Sequence, residues 1–172
     1  MADELLQHPA CLSDDALLAE CRVERLRRSG PGGQHRNKVE TAVRLTHQPT
    51  GLSVEASERR SQSQNLARAL RRLRLELAIG QRRRVGVTPT TAWQARCRLG
   101  RVVISEEHAD FPGLLAEALD TLAAEDWDVA GAAGRLGCSA TQLVKLLSRD
   151  SRALQELNRQ RAEHGLRPLR PS

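Results

Sequence analysis

The sequence predicts an α+β fold, in which a small, mostly antiparallel sheet carries one long packed helix and is followed by an α-helical, helix-turn-helix-like C-terminal module. Three observations point there. Apolar residues alternate with polar ones on either side of a turn at 41–57, leucines recur at helical spacing through 61–80, and the last third has the small-residue and leucine spacing of two short helices. The expected organisation is an N-terminal helix in 1–20, a central domain in 21–105, and an acidic linker with the helical module in 106–172.

In chain order, Ser13 can cap a short helix over 13–21, with Asp14 and Asp15 at its positive end and Leu17, Leu18 and Cys21 on one face. The stretch CRVERLRR then carries a weak strand signal that stops at a glycine loop. Val43 and Leu45 alternate with Arg44 and Thr46, and Leu52 and Val54 with Ser53 and Glu55; Pro49 and Gly51 between them make this a β-hairpin with one buried face. Ser61 and Gln64 have capping-box spacing ahead of a helix whose Leu66, Leu70, Leu73 and Leu77 form the core stripe, while Arg68, Arg71, Arg72 and Arg74 fall largely outside it. Gly80 ends that helix. A loop is expected at 84–92 and a short strand at 101–105. Pro112 opens another helix with Leu115, Leu119 and Leu122 on one side. Finally, Ala132, Ala133, Leu136, Gly137, Ser139 and Leu143 have the spacing of a helix-turn-helix, with Gly137 permitting the turn and Ser139 capping the second helix.

Charge is distributed unevenly over the 172 residues. Residues 22–101 hold 19 basic and 5 acidic residues, a balance of +14, while the remainder is at −8. Such a split suggests that the basic part faces a polyanion. Nearly all the cations are arginines, suited to bidentate phosphate contact. Only Trp93, Phe111 and Trp127 are aromatic, which argues against a surface that stacks single-stranded bases. From Ser105 to Gly134 there are eight acidic residues and no basic one, and the second helix of the helix-turn-helix-like pair carries only Lys145 as a cation. DNA binding by that pair is therefore a weak reading. Cys11, Cys21, Cys97 and Cys138 are far apart with no Cys-x-x-Cys pair, so reduced thiols in a cytoplasmic protein are expected; no metal or organic cofactor is expected either. No apolar run is long enough for a signal peptide or membrane span.

The stretch RRSGPGGQHRNKVETAVRLTH carries the chemistry. Gly30, Gly32 and Gly33 lack the Gly-Lys-Ser/Thr ending of a nucleotide P-loop and the spacing of a dinucleotide loop. Adjacent glycines let backbone approach a ligand closely. Together, Ser29-Gly30-x-Gly32-Gly33-Gln34, Asn37-Lys38, Ala42-Val43-Arg44, Pro49-Thr50-Gly51 and Arg60-Ser61-Gln62-x-x-Asn65 closely resemble the GGQ domain of bacterial class I peptide chain release factors and of the small codon-independent ribosome-rescue peptidyl-tRNA hydrolases, continuously from about Val23 to Leu77.

That resemblance implies ribosome-dependent hydrolysis of the peptidyl-tRNA ester, with Gly32, Gly33 and Gln34 catalytic and Gln34 a site of side-chain methylation by a glutamine methyltransferase. It implies contact with large-subunit rRNA and P-site peptidyl-tRNA, for which Arg28, Arg36, Asn37, Lys38, Arg44, Arg60, Arg68, Arg71 and Arg72 are the expected residues. The chain departs from the family in three respects. Arg36 stands where many members have a small apolar residue, no tripeptide reads as a codon-recognition loop, and residues 149–172, with six arginines against three acids, are a weaker version of the basic tail of the rescue hydrolases. Codon-independent release by a monomer is the expected activity. Two other readings stand beside it: a non-catalytic ribosome- or RNA-binding protein that uses the fold to dock, and a DNA-binding regulator built on 128–150.

Overall fold

The computed structural model describes residues 7–26 and 41–171. The chain divides into two compact units, one formed by Leu12–Leu77 and the other by Met1–Cys11 together with Ala78–Ser172. Of the expected segments, 1–20 and 21–105 each have residues in both units, and 106–172 lies within the second. Among the described residues, 7–11 group with the C-terminal part, and the division between the two units falls inside a helix, at 77/78.

The first unit opens with helix α1, Asp14–Ala19, where the Ser13 hydroxyl accepts from the Ala16 N–H at 3.2 Å and Leu17 is fully buried. Cys21 lies outside this helix, since Glu20 closes it and the chain turns at once into strand β1, Cys21–Leu26. The corner is tied down by His47. Its Nε2 lies 2.8 Å from the Glu20 carboxylate and its Nδ1 2.8 Å from the Thr50 hydroxyl, which satisfies both ring nitrogens of a side chain only 1 % exposed.

Strands β2, Ala42–His47, and β3, Ser53–Ala56, complete a three-stranded antiparallel sheet in the order β1-β2-β3. The expected hairpin is therefore present, and Val43, Leu45 and Ala56 are buried as its alternation requires. Gly51 adopts φ +72° in the turn, where its N–H donates to the His47 carbonyl at 2.8 Å.

Helix α2 runs Gln62–Gly80. Leu70, Leu73 and Leu77 of the expected stripe are buried, with Ala69 beside them, while Leu66 is partly exposed. The Arg72 guanidinium donates to the Glu55 carbonyl and pairs with Glu58, and Arg74 pairs with Asp14 at 2.6 Å, so α2 is pinned to β3 and to the start of α1.

In the second unit, residues 81–90 are irregular, followed by α3, Thr91–Arg96, and a minimal hairpin of β4, Cys97–Arg98, and β5, Arg101–Val102. The irregular stretch covers most of the expected loop, but α3 begins within it and the strand expected at 101–105 is only two residues long. Thr90 makes α3 possible: its hydroxyl accepts from the Trp93 N–H at 3.1 Å. Helices α4, Phe111–Ala124, α5, Val129–Leu136, α6, Ala140–Leu147, and α7, Ser151–Glu163, follow. Leu115, Leu119 and Leu122 are fully buried as expected.

Gly137 adopts φ +68° as the left-handed cap of α5, and the Ser139 hydroxyl accepts from the Gln142 N–H to cap α6, so both predicted turn devices are realised. Helix α7 lies where charge alone suggested a weak basic tail; Asp150 caps it, and Ala153, Leu154 and Leu157 are buried. All three aromatic rings are core residues of this unit, and the Trp93 indole donates to the Leu136 carbonyl at 2.8 Å. The four cysteines are free. Among the described residues no helix is long and apolar enough to cross a membrane.

Candidate functional site

The expected catalytic residues Gly32, Gly33 and Gln34, and the expected phosphate contacts Arg28, Arg36, Asn37 and Lys38, lie outside the described residues. What the fold defines is the frame around them. Leu26 and Ala42 face each other as the final register pair of β1 and β2, so the glycine-rich segment connects two neighbouring antiparallel strands at one edge of the sheet.

The return point of that segment is held by Asn65 in the first turns of α2. This side chain is completely buried. Its Nδ2 donates to the Thr41 carbonyl at 2.6 Å and to the Arg59 carbonyl at 2.9 Å, while its Oδ1 accepts from the Arg59 N–H at 2.9 Å. An amide suits this position because it offers two donors and an acceptor on one rigid plane. Asn65 thus joins three pieces of chain: the residue that follows the glycine-rich segment, the irregular stretch before α2, and α2 itself.

The remaining expected phosphate contacts fall into two groups. Arg44 and Arg72 are engaged internally. Arg44 sits opposite Glu55 in the β2–β3 register, and its Nε donates to that carboxylate at 2.6 Å. Arg72 pairs with Glu58, and the guanidinium beside Glu58 holds its carboxyl well down, at about 2. By contrast Arg60 and Arg68 are exposed and make no ion pair among the described residues. Arg71 is half-buried on the same helix. With Arg25 and Arg59, also exposed, these side chains give the unit a set of cations that can meet phosphate.

Asn65 belongs to the motif quoted from the sequence, but the motif alone assigns it no role. A buried asparagine is invisible to hydrophobic patterning, and its three partners are backbone groups whose proximity only the fold creates. The motif spacing from Arg60 to Asn65 is the one signal that could mark it.

Comparison with known proteins agrees with this frame. The RF-1 domain family model matches residues 17–98. Over 59 residues the chain is 54 % identical to "Peptide chain release factor 2" of Paramagnetospirillum magneticum, an alignment that covers 34 % of this chain and 16 % of that protein. It is 52 % identical over 59 residues to "Peptide chain release factor 1" of Acidiphilium cryptum, which covers 34 % of this chain and 17 % of the relative. The matched part is therefore about a sixth of the length of these relatives. The match covers the whole three-stranded sheet and α2 and continues through α3 into β4, beyond the limit of the first compact unit. Residues 17–98 of this chain are an RF-1 domain.

Proposed function

We propose that this chain is a ribosome-dependent peptidyl-tRNA hydrolase that cuts the ester between nascent peptide and P-site tRNA in the peptidyl-transferase centre without reading a codon. The observation that carries the reading is Gly32-Gly33-Gln34 inside an RF-1 domain that shares 52 to 54 % identity with release factors. In this reading water adds to the ester carbonyl, the bond to the ribose oxygen breaks, and that oxygen leaves with a proton, giving free peptide and tRNA.

The two glycines let the backbone approach the ester without a Cβ in the way. The Gln34 N–H donates to the developing oxyanion or to the leaving ribose oxygen, an interaction worth roughly 3–4 kcal/mol. Its neutral side chain orients water and excludes larger nucleophiles, so no ionised base is needed from this segment. Arg28, Arg36, Asn37 and Lys38, with Arg60, Arg68 and Arg71, hold rRNA or tRNA phosphate. The paired strand ends at Leu26 and Ala42, and the Asn65 bond to Thr41, support this reading because they fix the base of the segment that must reach the ester.

Codon independence rests on the sequence, in which nothing among the 172 residues reads as a codon-recognition tripeptide. Gln34 methylation by a glutamine methyltransferase, action as a cytoplasmic monomer, and a catalytic segment at 21–105 with a separate module at 106–172 belong to the same proposal. It is tested by peptide release from ribosomes that carry P-site peptidyl-tRNA and either an empty mRNA channel, a sense codon or each stop codon. Release independent of the codon supports the reading. Release confined to stop codons overturns its codon-independent part, and binding without any release leaves the docking-protein reading in its place.

A further inference from the structure

The β4–β5 hairpin has features that its own packing does not explain. Its two-residue turn places Leu99 at φ +50° and Gly100 at φ +75°, both left-handed as such a turn demands. Asparagine or aspartate usually precedes glycine here, because a leucine is strained in this conformation. Leu99 gains no burial in exchange, being fully exposed at the hairpin tip. Arg98 and Arg101 flank it and are exposed as well.

This tip is fixed against the α5–α6 turn. The Ser139 N–H donates to the Gly100 carbonyl at 3.1 Å, the Val102 N–H to the Gln142 side-chain oxygen at 3.4 Å, and the Cys97 thiol to the Gly137 carbonyl at 3.4 Å. The hairpin and the start of α6 are thus bonded to each other, and Arg98, Leu99 and Arg101 on the one and Thr141 and Lys145 on the other are all exposed.

The charge on these elements is of one sign. Residues 82–105 contain six arginines and no acid, and residues 129–149 three cations and no acid. Arg82, Arg96 and Arg135 are neutralised by Asp120, Asp110 and Glu125. Arg98, Arg101 and Lys145 make no ion pair among the described residues.

We propose that the β4–β5 hairpin and the first turns of α6 form a second docking surface, which grips the phosphate backbone of duplex RNA without reading its bases. Stacking on single strands needs exposed rings, and Trp93, Phe111 and Trp127 are all buried. Helix α6 carries no arginine, and bidentate readout by Gln142 needs the amide oxygen that the Val102 N–H already engages. A backbone grip with an apolar tip suits a helical RNA, which proteins recognise by shape and phosphate. The choice of RNA over DNA rests on the hydrolase reading above, since it is the covalently linked RF-1 domain that takes the chain to the ribosome.

The test uses the full chain and a fluorescent RNA hairpin of about 16 base pairs, with a DNA duplex of the same sequence as the second arm. Binding is followed from low to high salt by anisotropy. The variant R98Q/R101Q is expected to reduce the slope of log affinity against log salt by about 1.4–1.8, the loss of two phosphate contacts, and R98K/R101K to restore it. An unchanged slope in R98Q/R101Q overturns the proposal, and so does DNA bound as tightly as RNA. The readout needs no peptide release. A chain that shows the slope change but releases no peptide removes only the hydrolase reading, whereas peptide release with an unchanged slope removes only this surface.

Discussion

Asn65 donates to the Thr41 carbonyl at 2.6 Å from a fully buried position, and so the first described residue after the glycine-rich segment is anchored to the long helix of the RF-1 domain. The same amide plane closes on both the N–H and the carbonyl of Arg59. Removing it strands three backbone groups at once. Asn65→Ala is expected to destabilise the first unit by about 3 kcal/mol in urea unfolding. Asn65→Asp replaces the donor of two bonds with a carboxylate facing two carbonyls, so its stability should recover as pH falls and the side chain protonates. Equal stability of Asn65→Ala and wild type would show that Asn65 does not hold the frame.

Two buried groups in the second unit titrate against each other. His8 is 6 % exposed; its Nδ1 accepts from the Ala10 N–H, its Nε2 faces the Gln81 carbonyl, and burial holds its pKa down at about 4. Asp120 is 5 % exposed, and burial pushes it up to about 6 despite the Arg83 N–H and the Arg82 guanidinium beside it. Between about 4 and 6.5 the folded state binds fewer protons at His8 than the unfolded chain does, so that contribution to stability grows with pH. From 3.8 to about 6 it binds more protons at Asp120, so that contribution is lost as pH rises. The windows nearly coincide and the effects oppose. Relative to wild type, Asp120→Asn should gain stability as pH rises from 4 to 6.5 and His8→Gln should lose it, each by roughly 3 kcal/mol, on the basis of about 1.4 kcal/mol per pKa unit. Thermal melts across this range check the signs, and parallel curves for all three proteins would contradict the account.

Gly137 ends α5 at φ +68°, and nothing lies within 4 Å of the place a Cβ would occupy there. Gly137→Ala therefore meets no clash, only backbone strain, and should cost about 1 kcal/mol in denaturant unfolding. A neutral result would mean that the cap relaxes out of the left-handed region.

The basic residues of the RF-1 domain should not contribute alike to ribosome binding. Arg60 and Arg68 are exposed without an acidic partner among the described residues, whereas Arg44 and Arg72 are held by Glu55 and Glu58. Arg60→Gln with Arg68→Gln should lower the salt dependence of binding by close to two phosphate contacts, and Arg44→Gln with Arg72→Gln by less than one. The reverse order would show that the internal pairs open on the ribosome.

Where local pattern and local capping decide the structure, the sequence is a sufficient guide. Val43 and Leu45 announce the hairpin, the leucines at 70, 73 and 77 the long helix, and Gly137 with Ser139 the α5–α6 turn. Helix α3 escapes because its six residues are too few for a period and its only large apolar side chain is Trp93; the Thr90 cap is the available sign. Helix α7 escapes because its arginines read as a tail, although Arg159 is paired with Glu156 and Glu163 at helical spacing. The roles of Asn65, His8 and Asp120 depend on burial by residues distant in the chain, which no local pattern encodes. At the candidate site, Gly32, Gly33 and Gln34 stand out in the sequence as a motif, whereas the bond from Asn65 to Thr41, the first described residue after them, does not.

The most direct test of the central claim is single-turnover peptide release on ribosomes with an empty mRNA channel, measured beside ribosome binding for wild type and Gly33→Ala. The account predicts rapid release by wild type and at least a hundredfold slower release by Gly33→Ala, because the added Cβ holds the backbone off the ester and so costs the Gln34 N–H its contact, a loss of roughly 10²–10³-fold, while both bind equally. Equal release by the two proteins, or binding by wild type with no release at all, would contradict it.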